Sequence, residues 1–248
     1  MVPGGYLYRF PTCRTARPAE TAEDMMKIGI LGTGTMARTL GGRWAAAGHD
    51  VLVGGRSAAK AQQLATALGA RSGSLADAAQ AADVTLLAVA YTAVPEVLDA
   101  AGGRGALTGK VVVDCTNPVE LTGFSVTSGA TSLAEQIQQR TGARVVKAFN
   151  LCEAKVWQLD PPSFDGRPLV VPFCGDDEQA RATVGALIED LGCAPLAVGD
   201  VTYARHLEAM AALVISLLFR GHDPYTVFNL VTAADEARRK VAGAPVQP

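Results

Sequence analysis

The tightest constraint on the fold lies in residues 27–47. Ile28-Gly29-Ile30-Leu31 is a short apolar run of strand character. It breaks directly into Gly32-Thr33-Gly34-Thr35-Met36-Ala37 and then into an Ala-rich stretch of helical character. A strand, a glycine turn and a helix in that order form the start of a βαβ unit, in which the chain reverses tightly onto the sheet it has just left. The alternation then repeats. Strands are predicted at 27–31, 50–54, 84–89, 110–114, 144–148, 169–173 and 194–198, with helical stretches between them. Such a pattern folds as a parallel sheet covered on both faces. The run 84–89 is almost wholly apolar, as a strand buried on both sides must be.

Local signals mark the ends of the helices. Ser57 is placed to cap a helix that closes at Gly69. Ser74-Leu75-Ala76-Asp77 and Ser132-Leu133-Ala134-Glu135 have the spacing of a capping box. Pro95 suits a first helical turn, and Asp176, Asp177 and Glu178 put negative charge at the positive end of a helix reaching residue 191. Between these elements, the Gly-, Ser- and Thr-rich segment 116–130 reads as a functional loop. The last helix, about 203–219, carries Leu207, Met210, Val214, Leu217 and Leu218 at helical spacing. It is apolar enough to require burial, either in a second lobe or against another copy of the chain.

Composition excludes several classes. With 49% hydrophobic and 19% charged residues the chain can bury a large core, and a formal charge of −2 gives no attraction to nucleic acid or an anionic membrane. The five cysteines are scattered without a C-x-x-C pair, which points to reduced thiols in a cytoplasmic protein, with Cys115 and Cys152 as small apolar fillers. No metal-ligand cluster and no Ser-His-Asp set is visible. Residues 1–24 lack the continuous apolar stretch of a secretory signal and read as a flexible extension. The apolar run 210–219 is too short to span a bilayer, so a soluble protein is expected.

The glycine turn points to a dinucleotide. Gly32 permits the turn, Gly34 lets backbone N–H groups of Thr33, Thr35 and Met36 approach a pyrophosphate at the helix N-terminus, and Ala37 is small enough for close packing. The second strand ends in Val53-Gly54-Gly55-Arg56-Ser57, with Lys60 one turn later. An NAD site places a carboxylate there; a guanidinium, a hydroxyl and an ammonium suit the 2′-phosphate of NADP, with no carboxylate nearby to repel it. Ala88-Val89-Ala90-Tyr91, Asn117-Pro118 and Phe149-Asn150 follow three successive strands and are expected at the same sheet edge, where Asn150 is placed to hydrogen-bond the nicotinamide carboxamide. Of the histidines, His49 is assigned to a surface turn and His222 to a loop. His206 remains as the candidate site histidine, beside an Arg205–Glu208 pair at i,i+3 spacing. The expected architecture is α/β, a Rossmann-type doubly wound and mostly parallel sheet with a small C-terminal helical or αβ lobe. The boundaries are 1–24 extension, 25–150 NADP-binding domain and 151–248 substrate or dimerisation lobe.

From residue 27 to 221 the chain resembles the F420-dependent NADP oxidoreductases and is similar to the cytoplasmic reductase domain of the STEAP metalloreductases. The likeness rests on Gly32-Thr33-Gly34, on Val53-Gly54-Gly55-Arg56 with Lys60, and on Val113-Asp114-Cys115-Thr116-Asn117-Pro118. It continues through Val145-Val146-Lys147-Ala148-Phe149-Asn150, Cys174-Gly175-Asp176-Asp177 and Ala204-Arg205-His206-Leu207-Glu208. The resemblance implies that Thr33, Arg56 and Lys60 bind NADP, that the loop after Asn150 lies beside the nicotinamide, and that the hydride acceptor enters between the sheet and the C-terminal lobe. Gly55 departs from the Ser or Thr common before the arginine, and Asn150 from the His common in the deazaflavin enzymes. The implied reaction is hydride transfer between NADP(H) and a small planar acceptor, a deazaflavin (F420) or FMN or FAD, and a homodimer is expected. Two other readings stand beside it. One is reduction of a small carbonyl or imine, with Lys155, Tyr91 or Tyr203 as proton donor. The other is a non-catalytic NADP-binding sensor.

Overall fold

The computed structural model describes residues 25–164 and 166–222. The expected extension 1–24 and the end of the expected C-terminal lobe, 223–248, lie outside them. Eight strands form the main sheet: β1 (Lys27–Leu31), β2 (Asp50–Gly54), β3 (Arg71–Gly73), β4 (Val84–Leu87), β5 (Val111–Asp114), β8 (Arg144–Lys147), β11 (Val170–Cys174) and β12 (Ala194–Gly199). Two small hairpins, β6 (Val119–Glu120) with β7 (Ser125–Val126) and β9 (Ser163–Phe164) with β10 (Arg167–Pro168), stand apart from it. The order is β12-β11-β8-β5-β4-β1-β2-β3, parallel throughout except for one antiparallel bridge from β11 to β8 at Cys174 and Lys147. Strand order reverses between β1 and β4, which opens a crevice at their carboxyl ends.

Side-chain alternation along the strands builds two cores. Ile28, Ile30, Val113 and Val146 face one side, where α1 (Thr35–Ala46), α2 (Ala58–Leu68) and α7 (Glu178–Glu189) bring Trp44, Leu64 and Leu187. Leu31, Val112 and Val145 face the other, against α3 (Leu75–Ala81), α4 (Val94–Ala100), α5 (Gly103–Leu107), α6 (Leu133–Thr141) and α8 (Ala204–Phe219). The Trp44 indole N–H donates to the Leu187 carbonyl at 3.0 Å and ties the first helix to the seventh.

The helix ends form as the sequence predicts. Ser57 accepts from the Lys60 amide, Gly69 closes α2 in the left-handed region, and Ser74 and Ser132 each sit in a complete capping box. Three features differ. Strand β4 stops at Leu87, and Ala88 adds one last bond to β1, its amide donating to the Leu31 carbonyl at the crevice. The sheet crosses the expected boundary at residue 150, since β11 and β12 extend it. His49 is buried rather than in a surface turn: its Nδ1 accepts from the Met26 amide at 3.2 Å and its Nε2 lies 2.9 Å from Asp190. That role depends on α7 arriving 141 residues later, which no local pattern around His49 reveals.

Candidate functional site

Two cavities open along the carboxyl edge of the sheet, one of about 720 Å³ and one of about 400 Å³. Thr33, Arg56 and Val89 line both, so they are neighbouring compartments of one groove. The smaller contains Gly32, Gly55, Ser57 and Lys60; the larger begins at Gly34, Thr35 and Met36.

The glycine turn is sterically determined. Gly32 has φ +130°, and a Cβ there would stand 2.2 Å from the Ala88 carbonyl oxygen. Around Gly34 a Cβ would meet no atom within 4 Å, so the space above the helix start is open. Gly34 is the extended N-cap of α1, with no side-chain cap and no acidic residue in the first turn. The unpaired N–H groups and positive dipole end of α1 therefore face the groove, an arrangement that fits the pyrophosphate of a dinucleotide.

The narrow end, where the sequence reading places the adenosine ribose, carries a correction. No carboxylate was expected near Arg56, yet its Nη1 donates to Glu96 Oε2 at 3.0 Å. Glu96 lies in the first turn of α4, 40 residues away, and reaches Arg56 only because β4 and β2 flank β1. Both side chains are more than half exposed. Ser57 Oγ accepts the Lys60 amide at 3.4 Å and keeps its own proton to donate.

At the wide end, Ala88, Val89, Ala90 and Tyr91 line one wall, and Cys115, Thr116 and Asn117 continue it. The outer wall is Val119, Glu120 and Leu121 from the first hairpin, residues not singled out from sequence beyond the loop character of 116–130. Cys115 donates its S–H to the Leu87 carbonyl, and burial followed by the charge of Asp114 pushes its thiol up to about 12, so it stays neutral.

Asn150 does not line either cavity. Phe149, at φ +63° and packed edge-on between Trp44 and Trp157 at 5.9 and 5.3 Å, turns the chain inward after β8. Asn150 then donates from Nδ2 to Asn117 Oδ1 (3.0 Å) and to the Leu207 carbonyl (3.1 Å), while Asn117 Nδ2 donates to the Asn150 carbonyl (2.9 Å). Its own Oδ1 is buried without a partner among the described residues. Asn150 thus bears on the groove through Asn117. His206 is exposed, stacked edge-on with Tyr203 at 5.4 Å, and lines neither cavity.

Beneath the wide end lies a charge cluster that the sequence reading missed. Lys147 Nζ donates to Asp114 Oδ2 at 2.9 Å, to Glu208 Oε1 at 3.2 Å and to the Thr116 carbonyl at 2.6 Å. All three charged side chains are 0% exposed. Burial pushes the Lys147 ammonium down, but the charges of Asp114 and Glu208, with their hydrogen bonds, outweigh it and hold the group above its ordinary value. The expected Arg205–Glu208 pair does not form: Arg205 turns outward to within 3.7 Å of Glu135, and Glu208 points inward from the face that also buries Ala204, Leu207 and Ala211. A lysine and an aspartate in otherwise apolar strands, Val145-Val146-Lys147 and Val112-Val113-Asp114, were the available signal.

The profile of the family described as NADP oxidoreductase, coenzyme F420-dependent, matches residues 27–118. Metalloreductase STEAP3 of Rattus norvegicus is 33% identical over 77% of this chain, and the chain spans only 38% of that protein's length. The F420-dependent NADP reductase of Methanothermobacter thermautotrophicus is 28% identical over 79% of this chain and 91% of its own length. A crystal structure of a candidate F420-dependent NADP-reductase from Arthrobacter sp. FB24 superposes with a TM-score of 0.69 at 32% identity, covering 79% of this chain and 96% of that one.

Proposed function

The chain belongs to the coenzyme F420-dependent NADP oxidoreductase family, and from that premise we propose that it transfers a hydride between NADP(H) and a planar acceptor of deazaflavin or flavin type. The observation that carries the proposal is the continuous groove from Lys60 and Arg56, past the uncapped start of α1, to Tyr91 and Asn117.

The residues divide the work by position. Arg56 and Lys60 bind the 2′-phosphate, with Arg56 exchanging Glu96 for it. Gly32, Thr33, Gly34, Thr35 and Met36 present backbone N–H groups to the pyrophosphate. Ala88, Val89, Ala90 and Tyr91 form the bed of the nicotinamide ring, and Asn117, oriented by Asn150, sets its edge. When bound, NADPH supplies the hydride at C4. The protein's part is to hold the two rings in register and to exclude water with Val119 and Leu121, and positioning of this kind supplies much of a hydride transferase's rate. Carbonyl or imine reduction additionally requires a proton donor in the groove. Tyr91 is there; Lys155 and Tyr203 are exposed and line neither cavity.

The helical stretch Val201–Phe219 is long and apolar enough, by length and composition, to cross a bilayer. Its inner face packs on the domain and carries Glu208 into the charge cluster, which supports reading it as a core helix. Its outer face leaves Met210 and Leu213 about half exposed, at 48% and 49%. Pairing of that face with a second copy accounts for it, and a monomer in solution scattering would refute the pairing.

The test is NADPH oxidation followed by absorbance, with F420, FMN and FAD side by side and NADH as control. Rapid turnover with F420 and NADPH alone supports the proposal. Silence with all three acceptors sinks it, leaving carbonyl or imine reduction, or NADP sensing if NADP still binds tightly.

A further inference from the structure

Segment 116–133 lines the larger cavity through Thr116 and Asn117 and forms its outer wall through Val119, Glu120 and Leu121. Its own regular structure amounts to the two-residue strands β6 and β7. A loop of this kind wanders unless its ends are tied, and here both ends are tied to one buried cluster. At the start, Asp114 Oδ1 accepts from the Thr116 amide (2.9 Å) and hydroxyl (2.6 Å), and Lys147 donates to the Thr116 carbonyl (2.6 Å). At the far end, Glu208 accepts from the Ser128 hydroxyl (3.1 Å) and from the Leu133 amide (3.0 and 3.2 Å). Lys147 bridges the two carboxylates.

We infer that Asp114, Lys147 and Glu208 are positioning residues for the acceptor: they clasp both ends of the 116–133 wall to β5, β8 and α8 and thereby set the width of the acceptor compartment. None of the three lines either compartment of the groove, so their influence runs through Thr116 and the hairpin. The dinucleotide turn hangs on different contacts, Gly32 N–H to the Gly54 carbonyl and Ala88 N–H to the Leu31 carbonyl. Loosening the clasp therefore moves the acceptor wall and leaves the cofactor bed in place. A misplacement of about 1 Å at such a wall costs up to about 100-fold in turnover. The inference rests on the proposal that the acceptor enters at this end.

Two mild variants test it in the full chain. Ser128→Ala removes one of the two far-end ties without exposing a charge, and Glu208→Gln keeps the side chain's shape while halving its accepting capacity. Both are expected to raise the acceptor KM about tenfold, with NADPH affinity changed less than about twofold. A purely structural cluster predicts lower melting temperatures with the ratio of the two KM values unchanged, and that outcome overturns the inference. Amide hydrogen exchange of Glu208→Gln against the native chain needs no acceptor and separates the two proposals. Faster exchange confined to 116–133 supports the clasp even in a protein that turns over no acceptor. Unchanged exchange there refutes it even if hydride transfer to a flavin is established.

Discussion

The two ends of the groove are built on different principles. At the proposed adenosine end the groups assigned to the dinucleotide belong to two consecutive strand–turn–helix units: Gly32 to Met36 after β1, and Gly55 to Lys60 after β2. Backbone geometry does the positioning, and the charged groups stand in water, where Arg56 is 61% and Glu96 65% exposed. At the acceptor end the wall is a loop with little structure of its own, held by side chains from β5, β8 and α8 that are 0% exposed. The first end should therefore tolerate the loss of a charge and show it in binding. The second should not tolerate loss of its buried cation, and should show disturbance of the cluster in stability as well as in the acceptor KM.

Lys147→Met tests that contrast most severely. It leaves the Asp114 and Glu208 carboxylates buried without their cation, a loss of about 3–5 kcal/mol that thermal or urea unfolding would read. A melting temperature within a degree of the native value would remove the contrast. Gly32→Ala probes the one steric point at the other end. Its Cβ would press on the Ala88 carbonyl 2.2 Å away at φ +130°, so we expect stability to fall by about 1–3 kcal/mol and NADPH binding to be lost.

Arg56→Gln should leave unfolding unchanged. It removes about 1.5–3 kcal/mol of charge-assisted hydrogen bonding to the 2′-phosphate, so NADPH weakens about 10- to 100-fold while NADH is unaffected; paired titrations decide it. Glu96→Gln is the smallest effect and the sharpest in sign. Freeing Arg56 from an exposed ion pair worth about 0.2–1 kcal/mol should tighten NADPH up to about fivefold; weaker binding would mean that Glu96 orients the guanidinium instead.

Alkaline pH sharpens the same contrast. The Cys115 thiol is pushed up to about 12 from its ordinary 9.0, and Lys147 lies above its ordinary 10.5. Groups raised in the folded state bind protons that the unfolded chain has already released, so their contribution is fully present below pH 9.0 and lost as the pH climbs toward 12. Unfolding free energy should be flat from about pH 7 to 8.5 and fall above about 9. A rise in that range would contradict the burial of these groups.

The legible part of the molecule follows the same division. Strand β1, strand β2, the caps at Ser57, Ser74 and Ser132 and the glycine turn all depend on residues within a few positions of one another, and each formed where the local pattern put it. Strand β3 and the hairpins β6–β7 and β9–β10 went unseen because two or three residues carry no period to detect. Glu208 was read as a partner of Arg205 because i,i+3 neighbours are visible in sequence. The competing partner, Lys147, is 61 residues away.

From the sequence alone came the Rossmann alternation, the glycine turn after β1 and the basic group after β2 that we assign to a phosphorylated ribose. These are properties of short chain segments whose backbone freedom and periodicity are local. Tertiary structure alone decided that Glu96 meets Arg56, that Asn150 bonds Asn117 instead of lining the groove, that His49 is buried, and that one ammonium ties two carboxylates beneath the 116–133 wall. Each of those depends on which strands become neighbours, and a hydrogen bond or ion pair carries no trace in the sequence of the partner that folding will bring to it.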